Sequence, residues 1–573
     1  MGIVEGMHFF QRVVDGRSYR VAAQSVWDPK KGQPVSRQVL LGPAEPAPVV
    51  DLGKTRTVGT RRLGDVGALA WVAEELDVIR LVNEACRSAS VQTGPSLGEQ
   101  TVAVAVQRAC QPGAKRDLGD FLAGSVPRIS CLPADAFSGQ AFYRAALTVT
   151  DEQVERAQVA IAKAAVERFG LSADVLAFDS TNFDTFIATT TKGDLSKRGH
   201  AKSKRVDLRV VGLGVLVSET GHVPLLHRTY PGNGSDQALL GSCLGGLKRL
   251  HEELNVAEGR PRAKRTVVRD GGFWSEQLEL DLEDAGYHSI ISLPLSHNAA
   301  EAALLEASKK GHMKRLKGAL KDVRAFRMTA KVGELERTLV VVESQELLRG
   351  QKRGIARALR KATAEIKRLE SRLAGTRPQK GKRLERTSLQ AKVTKLLGRE
   401  HLAEFVVVEI AGDEKHPTLS WRVDDSLRRT LEHTRLGRRV LCTDHKLWGT
   451  ERVVLGFRGQ WNVEELFRRA KKGGLVPWGP SYQRADSSLR LHTFATVLGL
   501  TLAALAKLVL GSKKSAVATM KELAAIRPTL VRTSSGAKGR RPTVMLAPEL
   551  SPAQRKAVHS FALDRWLPSL SFN

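Results

Sequence analysis

Three carboxylates in this 573-residue chain stand where their side chains could do chemistry together: Asp179, Asp270 and Glu464. Asp179 follows the apolar run Val175-Leu176-Ala177-Phe178, and Asp270 follows Thr266-Val267-Val268-Arg269. Each therefore reads as the residue just past a short buried strand, where side chains emerge at a sheet edge. Glu464 lies in Trp461-Asn462-Val463-Glu464-Glu465-Leu466-Phe467-Arg468-Arg469-Ala470-Lys471, which reads as a helix. At about 100° per residue, Phe457 and Lys471 fall about 20° from Glu464, and Gln460 and Arg468 about 40° from it. One face then carries a carboxylate flanked by an amide and two cations, while Glu465 points about 100° away and is set aside as a ligand. Hard oxygen donors with open positions suit Mg²⁺ or Mn²⁺. Two such ions about 4 Å apart activate a water or a 3′-hydroxyl and stabilise a leaving oxygen, and the cations beside Glu464 would hold phosphates. Taken singly, each carboxylate is weak evidence, because an Asp at a strand end is most often a turn former. Asp184, Asp207 and Asp236 read as turn, cap or surface residues of that kind.

The elements that must position the three acids form an α/β pattern. Strands are expected at 175–178, 208–217 and 224–230, the last ending at Pro231-Gly232-Asn233-Gly234. Ser235 reads as the N-cap of a helix running to Leu250, with Leu239, Leu240, Leu244, Leu247 and Leu250 on one face. A strand at 266–269, a helix at 276–283 and a strand at 289–293 follow. Three strands, a helix, a strand, a helix and a strand is the order of ribonuclease H-like sheets. The expected fold class is thus α/β, with a ribonuclease H-like core in two parts, 170–295 and 441–510, and an insertion domain at 296–440.

Inside that insertion, Ile355, Leu359, Ala362, Ile366, Leu369 and Leu373 are spaced four-three-four-three-four, an a/d seam. Gly375-Thr376-Arg377-Pro378 stops the helix, and Leu389, Val393 and Leu396 carry a second one, so a helical hairpin is expected. From Arg349 to Glu400 there are 17 Lys and Arg against 4 Asp and Glu, a net of +13. A solvated charged face and a DNA-facing arm both account for that surplus. Ahead of the core, residues 1–48 read as a β-hairpin region turning through Asp28-Pro29-Lys30-Lys31-Gly32, with Pro43, Pro46 and Pro48 marking a linker. Residues 49–169 read as a helical domain, with either an end-binding or a packing role, and 511–573 as a basic C-terminal region.

The composition narrows the partner. Ninety Lys and Arg against 60 Asp and Glu leave a formal charge of +30, with a pI near 10.2. Such a surplus favours a polyanion, since each neutralised phosphate releases condensed counterions. Five cysteines, Cys86, Cys110, Cys131, Cys243 and Cys442, lie far apart without a CxxC pair and read as reduced core residues of a cytosolic protein. No secretory signal is visible at Met1-Gly2-Ile3-Val4-Glu5. The apolar stretch Phe494–Ala506 falls short of the ~20 residues a membrane span needs, and Lys507 interrupts it, so it reads as a buried helix.

Several motifs resemble those of insertion-sequence DDE transposases. Phe178-Asp179-Ser180-Thr181 is similar to their first-aspartate strand, and Val268-Arg269-Asp270-Gly271-Gly272-Phe273 to the second. Phe457-x-x-Gln460-x-x-x-Glu464-x6-Lys471 is similar to the Tyr-x2-Arg-x3-Glu-x6-Lys signature of the subgroup with a large insertion before the glutamate. Lys197-Arg198-Gly199-His200-Ala201-Lys202, Pro231-Gly232-Asn233-Gly234-Ser235-Asp236 and Tyr482-x-Arg484-x-Asp486-x5-His492 also resemble that subgroup. The match runs from about Phe9 to Leu510. It departs in two places: Phe457 keeps the ring of the family tyrosine without its hydroxyl, and Gln460 cannot make the bidentate charged contact of an arginine.

The resemblance implies cut-and-paste transposition. Water cleaves at the element ends, the freed 3′-hydroxyl attacks target DNA, and flanking DNA is resolved through a hairpin. It implies that Asp179, Asp270 and Glu464 bind two Mg²⁺ or Mn²⁺ ions per active site, and that Lys471, Arg468, Gln460 and Phe457 meet DNA. The implied partners are double-stranded DNA, both inverted-repeat ends and target, and a second copy of the chain on that DNA. No membrane partner is implied, and the implied location is the bacterial cytoplasm, at the nucleoid. Two rival readings share the motifs: a nuclease that hydrolyses without joining, and a DNA-binding descendant without activity.

Overall fold

Alternating apolar and polar residues at the start of the chain build an antiparallel meander of β1 (His8–Val14), β2 (Arg17–Asp28) and β3 (Gln33–Pro43). The computed structural model describes residues 7–28, 31–44, 55–86, 94–260, 263–375, 384–471, 473–533 and 543–566. The expected turn residues Pro29-Lys30, linker prolines Pro46 and Pro48, and helix stop Thr376-Arg377-Pro378 lie outside them. The chain forms two compact units: 1–268, 277–287 and 459–573 make the first, and 269–276 with 288–458 the second.

In the first unit, β4 (Thr55–Thr60) precedes six helices: α1 (Gly64–Glu75), α2 (Val78–Ala85), α3 (Leu97–Cys110), α4 (Leu118–Ala123), α5 (Gly139–Ala146) and α6 (Asp151–Phe169). Helix α6 begins with a capping box between Thr150 and Gln153 and ends at Gly170 in the left-handed region, φ 62°. The core strands follow: β5 (Val175–Thr185), β6 (Arg209–Ser218), β7 (Pro224–Pro231), then α7 (Asp236–Ala257), β8 (Arg265–Arg269) and α8 (Glu276–Asp284). In this unit the strand order is β8-β5-β6-β7, with β5 parallel to β8 and antiparallel to β6. Ser235 caps α7 as its sequence position suggests, its hydroxyl accepting the N–H of Ala238 at 3.2 Å.

The second unit holds β9 (Tyr287–Leu293), α9 (Asn298–Ala307), β10 (Lys314–Arg315), β11 (Val323–Val332), β12 (Leu335–Ser344), α10 (Gln345–Leu373), α11 (Arg386–Leu397), β13 (Val406–Ala411), β14 (Thr418–Val423), α12 (Asp425–Thr434), β15 (Arg438–Thr443) and α13 (Thr450–Arg458). Its strands are ordered β10-β11-β12-β15-β9, all antiparallel. Strands β10 to β12, inside the stretch 296–440 expected to be an insertion, thus extend the sheet of β15 and β9. Strand β12 pairs with β15, Val341 opposite Val440, and α9 packs over Ile291, Leu339, Val341 and Val440. The a/d seam of α10 is buried, but its cover differs from a plain helical hairpin. Ile355, Ala362, Ile366 and Leu369 pack on Leu389 and Val393 of α11 and also on the ribbon β13–β14, through Val408, Leu419 and Trp421.

The chain returns to the first unit as α14 (Gln460–Ala470), α15 (Asp486–Val509), α16 (Ala516–Ala524), β16 (Thr529–Thr533), β17 (Thr543–Leu546) and α17 (Pro552–Ser560), with β16 pairing between β17 and β4. Helix α15 is long and apolar enough to cross a membrane by length and composition, yet 83% of its apolar window is buried in protein. All five cysteines are free; Cys110 is half-buried and the other four are buried.

Candidate active site

Asp179 does not end its strand. Strand β5 continues to Thr185 beside β6, with Asp179 opposite Val215 and Phe183 opposite Val211. What ends is the parallel neighbour: pairing with β8 covers only Val175 to Ala177, the last pair being Ala177 with Val268. The unit division falls just after Val268. In sequence, Asp179 stands two residues past Ala177 and Asp270 two residues past Val268.

Side chains alternate along a strand, so Phe178 and Ser180 share one face of β5, and Ala177, Asp179, Thr181 and Phe183 the other. The first face is turned to α7, where Phe178 and Leu239 both crowd Gly214. On this face Ser180 Oγ donates to Asp236 Oδ1 at 2.7 Å, tying the first turn of α7 to the strand. Tyr230 of β7 lies near both acids. Burial pushes its phenol above the ordinary value, Ser180 counters, and the Asp236 and Asp179 carboxylates push it further up. The second face is turned to the residues around α14. Phe183 stacks on Trp478 with centroids 5.0 Å apart at 16°, and α14 packs against β5 and β6. Asp179, half-buried, thus lies on the side of β5 that receives the helix carrying Glu464. Its own Oδ1 accepts the Ser180 N–H at 2.7 Å.

Helix α14 buries Val463, Leu466, Phe467 and Ala470 and leaves Glu464 exposed. Among the described residues, Glu464 has no hydrogen bond or ion pair. Its neighbour Glu465 is occupied within the helix, 2.6 Å from Arg468 and 3.3 Å from Arg469. The expected face of Phe457, Gln460, Glu464, Arg468 and Lys471 does not form as a unit. A turn at Gly459 separates α13 from α14, and Phe457 and Gln460 are buried, at 9% and 8% exposure. Phe457 instead packs beneath the Arg439 guanidinium, 5.8 Å from its ring centroid. Lys471 has left the helix. It is the C-cap, with extended φ −82° and ψ 169°, because the Arg469 and Ala470 carbonyls accept N–H groups from Val476 (3.0 Å) and Trp478 (2.7 Å). Lys471 and Arg468 are both exposed.

Three motifs of no assigned role in the chemistry converge on β5. Gly199 and Gly232 meet backbone to backbone: a Cβ on Gly199 would come within 2.0 Å of the Gly232 carbonyl oxygen, and one on Gly232 within 1.9 Å of that of Val210. The Gly232 N–H donates to the Leu195 carbonyl at 3.0 Å, and Lys197 and Val210 exchange backbone bonds of 3.1 and 2.8 Å. Lys202 Nζ donates to the Ser180 carbonyl at 2.5 Å, and its N–H donates to Asn182 Oδ1 at 2.9 Å. Asn182 Nδ2 in turn donates to the His200 carbonyl at 2.8 Å. Asp486, opening α15, accepts the N–H groups of Asp194 (2.7 Å) and Leu195 (3.2 Å). A loop carrying Lys192, Lys197, Arg198, Lys202, Lys204 and Arg205 is thereby pinned beside the Asp179 strand. His492, from the same motif as Asp486, lies fully inside. Its Nε2 donates to the Trp478 carbonyl at 2.8 Å, and its Nδ1 sits 3.1 Å from Lys115 Nζ. Burial, then Lys115 and Arg108, hold His492 well below the usual imidazole range. Burial and Arg108 likewise bring Lys115 down to about 7.

Asp270 is exposed and opens the single turn Gly271–Phe273. Gly271 is required there: a Cβ would come within 2.4 Å of the Ser292 carbonyl oxygen. Beneath it, Arg269 is fully buried and donates to Ser289 Oγ at 3.1 Å. The three carboxylates are hard donors suited to a divalent cation. Among the described residues, however, no group of three or more His, Cys, Asp and Glu stands close enough to hold one. Within the first unit, the structure sets the strand of Asp179 against the helix that carries Glu464.

The roles of Lys202, Asp486 and Lys115 were not read from sequence. The first two lie inside the quoted motifs, but their partners are far away in the chain. Lys115 lies in none of them.

No protein-family model matches the chain, and no curated protein sequence matches it. Among solved structures, one similar chain comes from a piggyBac transposase synaptic complex with hairpin DNA. The likeness has a TM-score of 0.34 at 12% identity and covers 80% of this chain and 78% of that one. At that score neither fold nor function transfers.

Proposed function

We propose that this chain is a DNA transposase of the insertion-sequence type, with a ribonuclease H-like core in which Asp179, Asp270 and Glu464 are the catalytic carboxylates. The observation that carries the reading is the convergence on β5. The strand of Asp179 receives the glutamate helix on the face that bears Asp179, and the loops 193–202 and 231–236 and residue Asp486 lock around the same strand.

In this reading the substrate is double-stranded DNA, cut at the element ends and joined to a target, with a second copy of the chain completing the complex. The exposed cations of the 192–205 loop, with Arg468 and Lys471 at the end of α14, meet the backbone phosphates and hold the scissile bond against the acids. Phe457 and Gln460, being buried, take no part. Divalent ions, Mg²⁺ or Mn²⁺, supply the charge that activates the attacking oxygen when bound. The proposed location is the cytoplasm, at the nucleoid.

A second reading, a DNA-binding protein without cleavage, is favoured by the net charge of +30, which suits a phosphate backbone whether or not the acids cut it. A plasmid carrying the gene with its native flanking DNA separates the two. Incubated with the protein and Mg²⁺ or Mn²⁺, it should release a discrete linear fragment with matched ends and yield joined products with a second plasmid. Release without joining would leave a nuclease, and binding without release would leave the second reading.

A further inference from the structure

Helix α10 presents two opposite faces. Ile355, Ala362, Ile366 and Leu369 are buried against α11 and the β13–β14 ribbon, so this side is fixed to the body of the second unit. Arg349, Arg353, Arg360 and Lys367 are all exposed. At 3.6 residues per turn these four fall within about 40° of one another, on the side roughly opposite the buried seam. They form a ridge about 27 Å long, from 18 steps of 1.5 Å. Arg357 flanks it and is exposed as well.

The ridge is not neutralised by the protein. Among the described residues, Arg353, Arg357, Arg360 and Lys367 have no ion pair; elsewhere on this helix Lys352 pairs with Glu432 and Arg368 with Glu365. Among the described residues, the Arg349 guanidinium hydrogen-bonds only to its own helix, at the Gln345 carbonyl (3.3 Å). Of the three carboxylates on α10, Glu365 and Glu370 lie off the ridge and Glu346 sits in the first turn. Like charges lined along one rigid face repel one another, and an isolated helix would gain from interspersed acids. A face built this way is matched by a polyanion of comparable length and regular charge.

We propose that this ridge is a binding surface for the phosphate backbone of double-stranded DNA, following about eight base pairs at ~3.4 Å each. The inference rests on the DNA reading given above and adds to it a second contact, outside the carboxylate site, that is independent of base sequence. Backbone contacts position a protein on a duplex without reading it, and the ridge carries cations separated by Ala356, Thr363 and Ala364, with no Asn or Gln facing out between them. The surface therefore suits target or flanking DNA of any sequence.

The test is the salt dependence of duplex binding by the full chain, using a random-sequence duplex, a duplex of the gene's flanking DNA and vesicles of phosphatidylcholine with phosphatidylserine. With Arg353→Gln, Arg360→Gln and Lys367→Gln combined, the slope of log affinity against log salt should flatten by about 2.7, at ~0.9 per lost phosphate contact. The loss should be equal on both duplexes, and cutting of saturating DNA at low salt should be unchanged. The charge-keeping pair Arg353→Lys and Arg360→Lys should retain the parental slope, which guards against a folding defect in the triple variant. An unchanged slope in the triple variant overturns the proposal, as does a loss confined to one duplex. So does a loss of vesicle binding with duplex binding intact. Failure of the transposase reading is read separately, as duplex binding of normal slope with no cutting by the unaltered protein.

Discussion

Phe183 stacks on Trp478 with ring centroids 5.0 Å apart and an angle of 16°, and this contact settles which side of β5 Asp179 occupies. Phe183 lies four positions after Asp179, an even offset, so both side chains leave the strand on the side that receives α14. Trp478 is itself held, its Nε1 donating to Thr493 Oγ1 at 3.0 Å and its N–H donating to the Ala470 carbonyl. One ring contact thus couples the strand of the first acid to the end of the glutamate helix. Phe183→Leu should keep the strand buried but loosen this coupling, lowering the cutting rate more than the stability. Single-turnover cleavage alongside urea unfolding measures the two, and an unchanged rate would remove the stack from the account.

Asp486 should matter through the loop it holds. Asp486→Ala removes the acceptor for the Asp194 and Leu195 N–H groups, at a cost of about 1–3 kcal/mol. Limited proteolysis should then cut within 186–208 earlier than in the parent. A parental digestion pattern would mean that the glycine contacts alone hold the loop.

Glycine positions offer a comparison of opposite signs. Gly232→Ala would drive a Cβ to within 1.9 Å of the Val210 carbonyl oxygen, and displacing that backbone should cost about 1–3 kcal/mol. Gly245, exposed on α7, has nothing within 4 Å of a built Cβ. Gly245→Ala should therefore stabilise by about 0.5–1 kcal/mol, since alanine is the better helix former. Urea midpoints of the two variants should move in opposite directions.

The buried Lys115–His492 pair sets a pH dependence. Lys115 releases its proton near pH 7 when folded and near its ordinary 10.5 when unfolded. Between those values the unfolded chain binds the extra proton, so stability rises with pH from about 7 to 10.5. His492, held well below its ordinary 6.5, works in the same direction lower down: on acidification below 6.5 the unfolded chain takes up a proton that the folded chain refuses. Lys115→Met should abolish the rise between pH 7 and 9 in urea midpoints, and an undiminished rise would place its origin elsewhere.

Much of this architecture was legible because its strands are short apolar runs. Val175–Phe178, Thr266–Arg269 and Ser289–Leu293 are hydrophobic enough to be buried wherever they pair, and Ser235 caps α7 through a local bond. Strand β11 was missed because Val323-Arg324-Ala325-Phe326-Arg327-Met328-Thr329-Ala330-Lys331 interleaves cations on a half-exposed strand, which resembles a polar helix or loop. The helix carrying Glu464 was legible, but its ends were not. Its stop at Ala470 is imposed by N–H groups from Val476 and Trp478, and the turn at Gly459 buries Phe457 and Gln460 away from the face that periodicity assigned them. Those determinants are tertiary, and a 3.6-residue pattern carries no trace of them.

The central claim, that Asp179, Asp270 and Glu464 do the chemistry, is tested most directly by one series of cleavage assays. The substrate is DNA carrying the gene's own flanking ends, and each protein is assayed with Mg²⁺ and with EDTA. Asp179→Asn, Asp270→Asn and Glu464→Gln should each abolish cutting while retaining duplex binding and the parental melting temperature. Glu465→Gln, which loses only ion pairs to Arg468 and Arg469 on its own helix, should cut at close to the parental rate. Cutting by any of the first three, or loss of cutting in Glu465→Gln with Glu464→Gln active, would contradict the assignment.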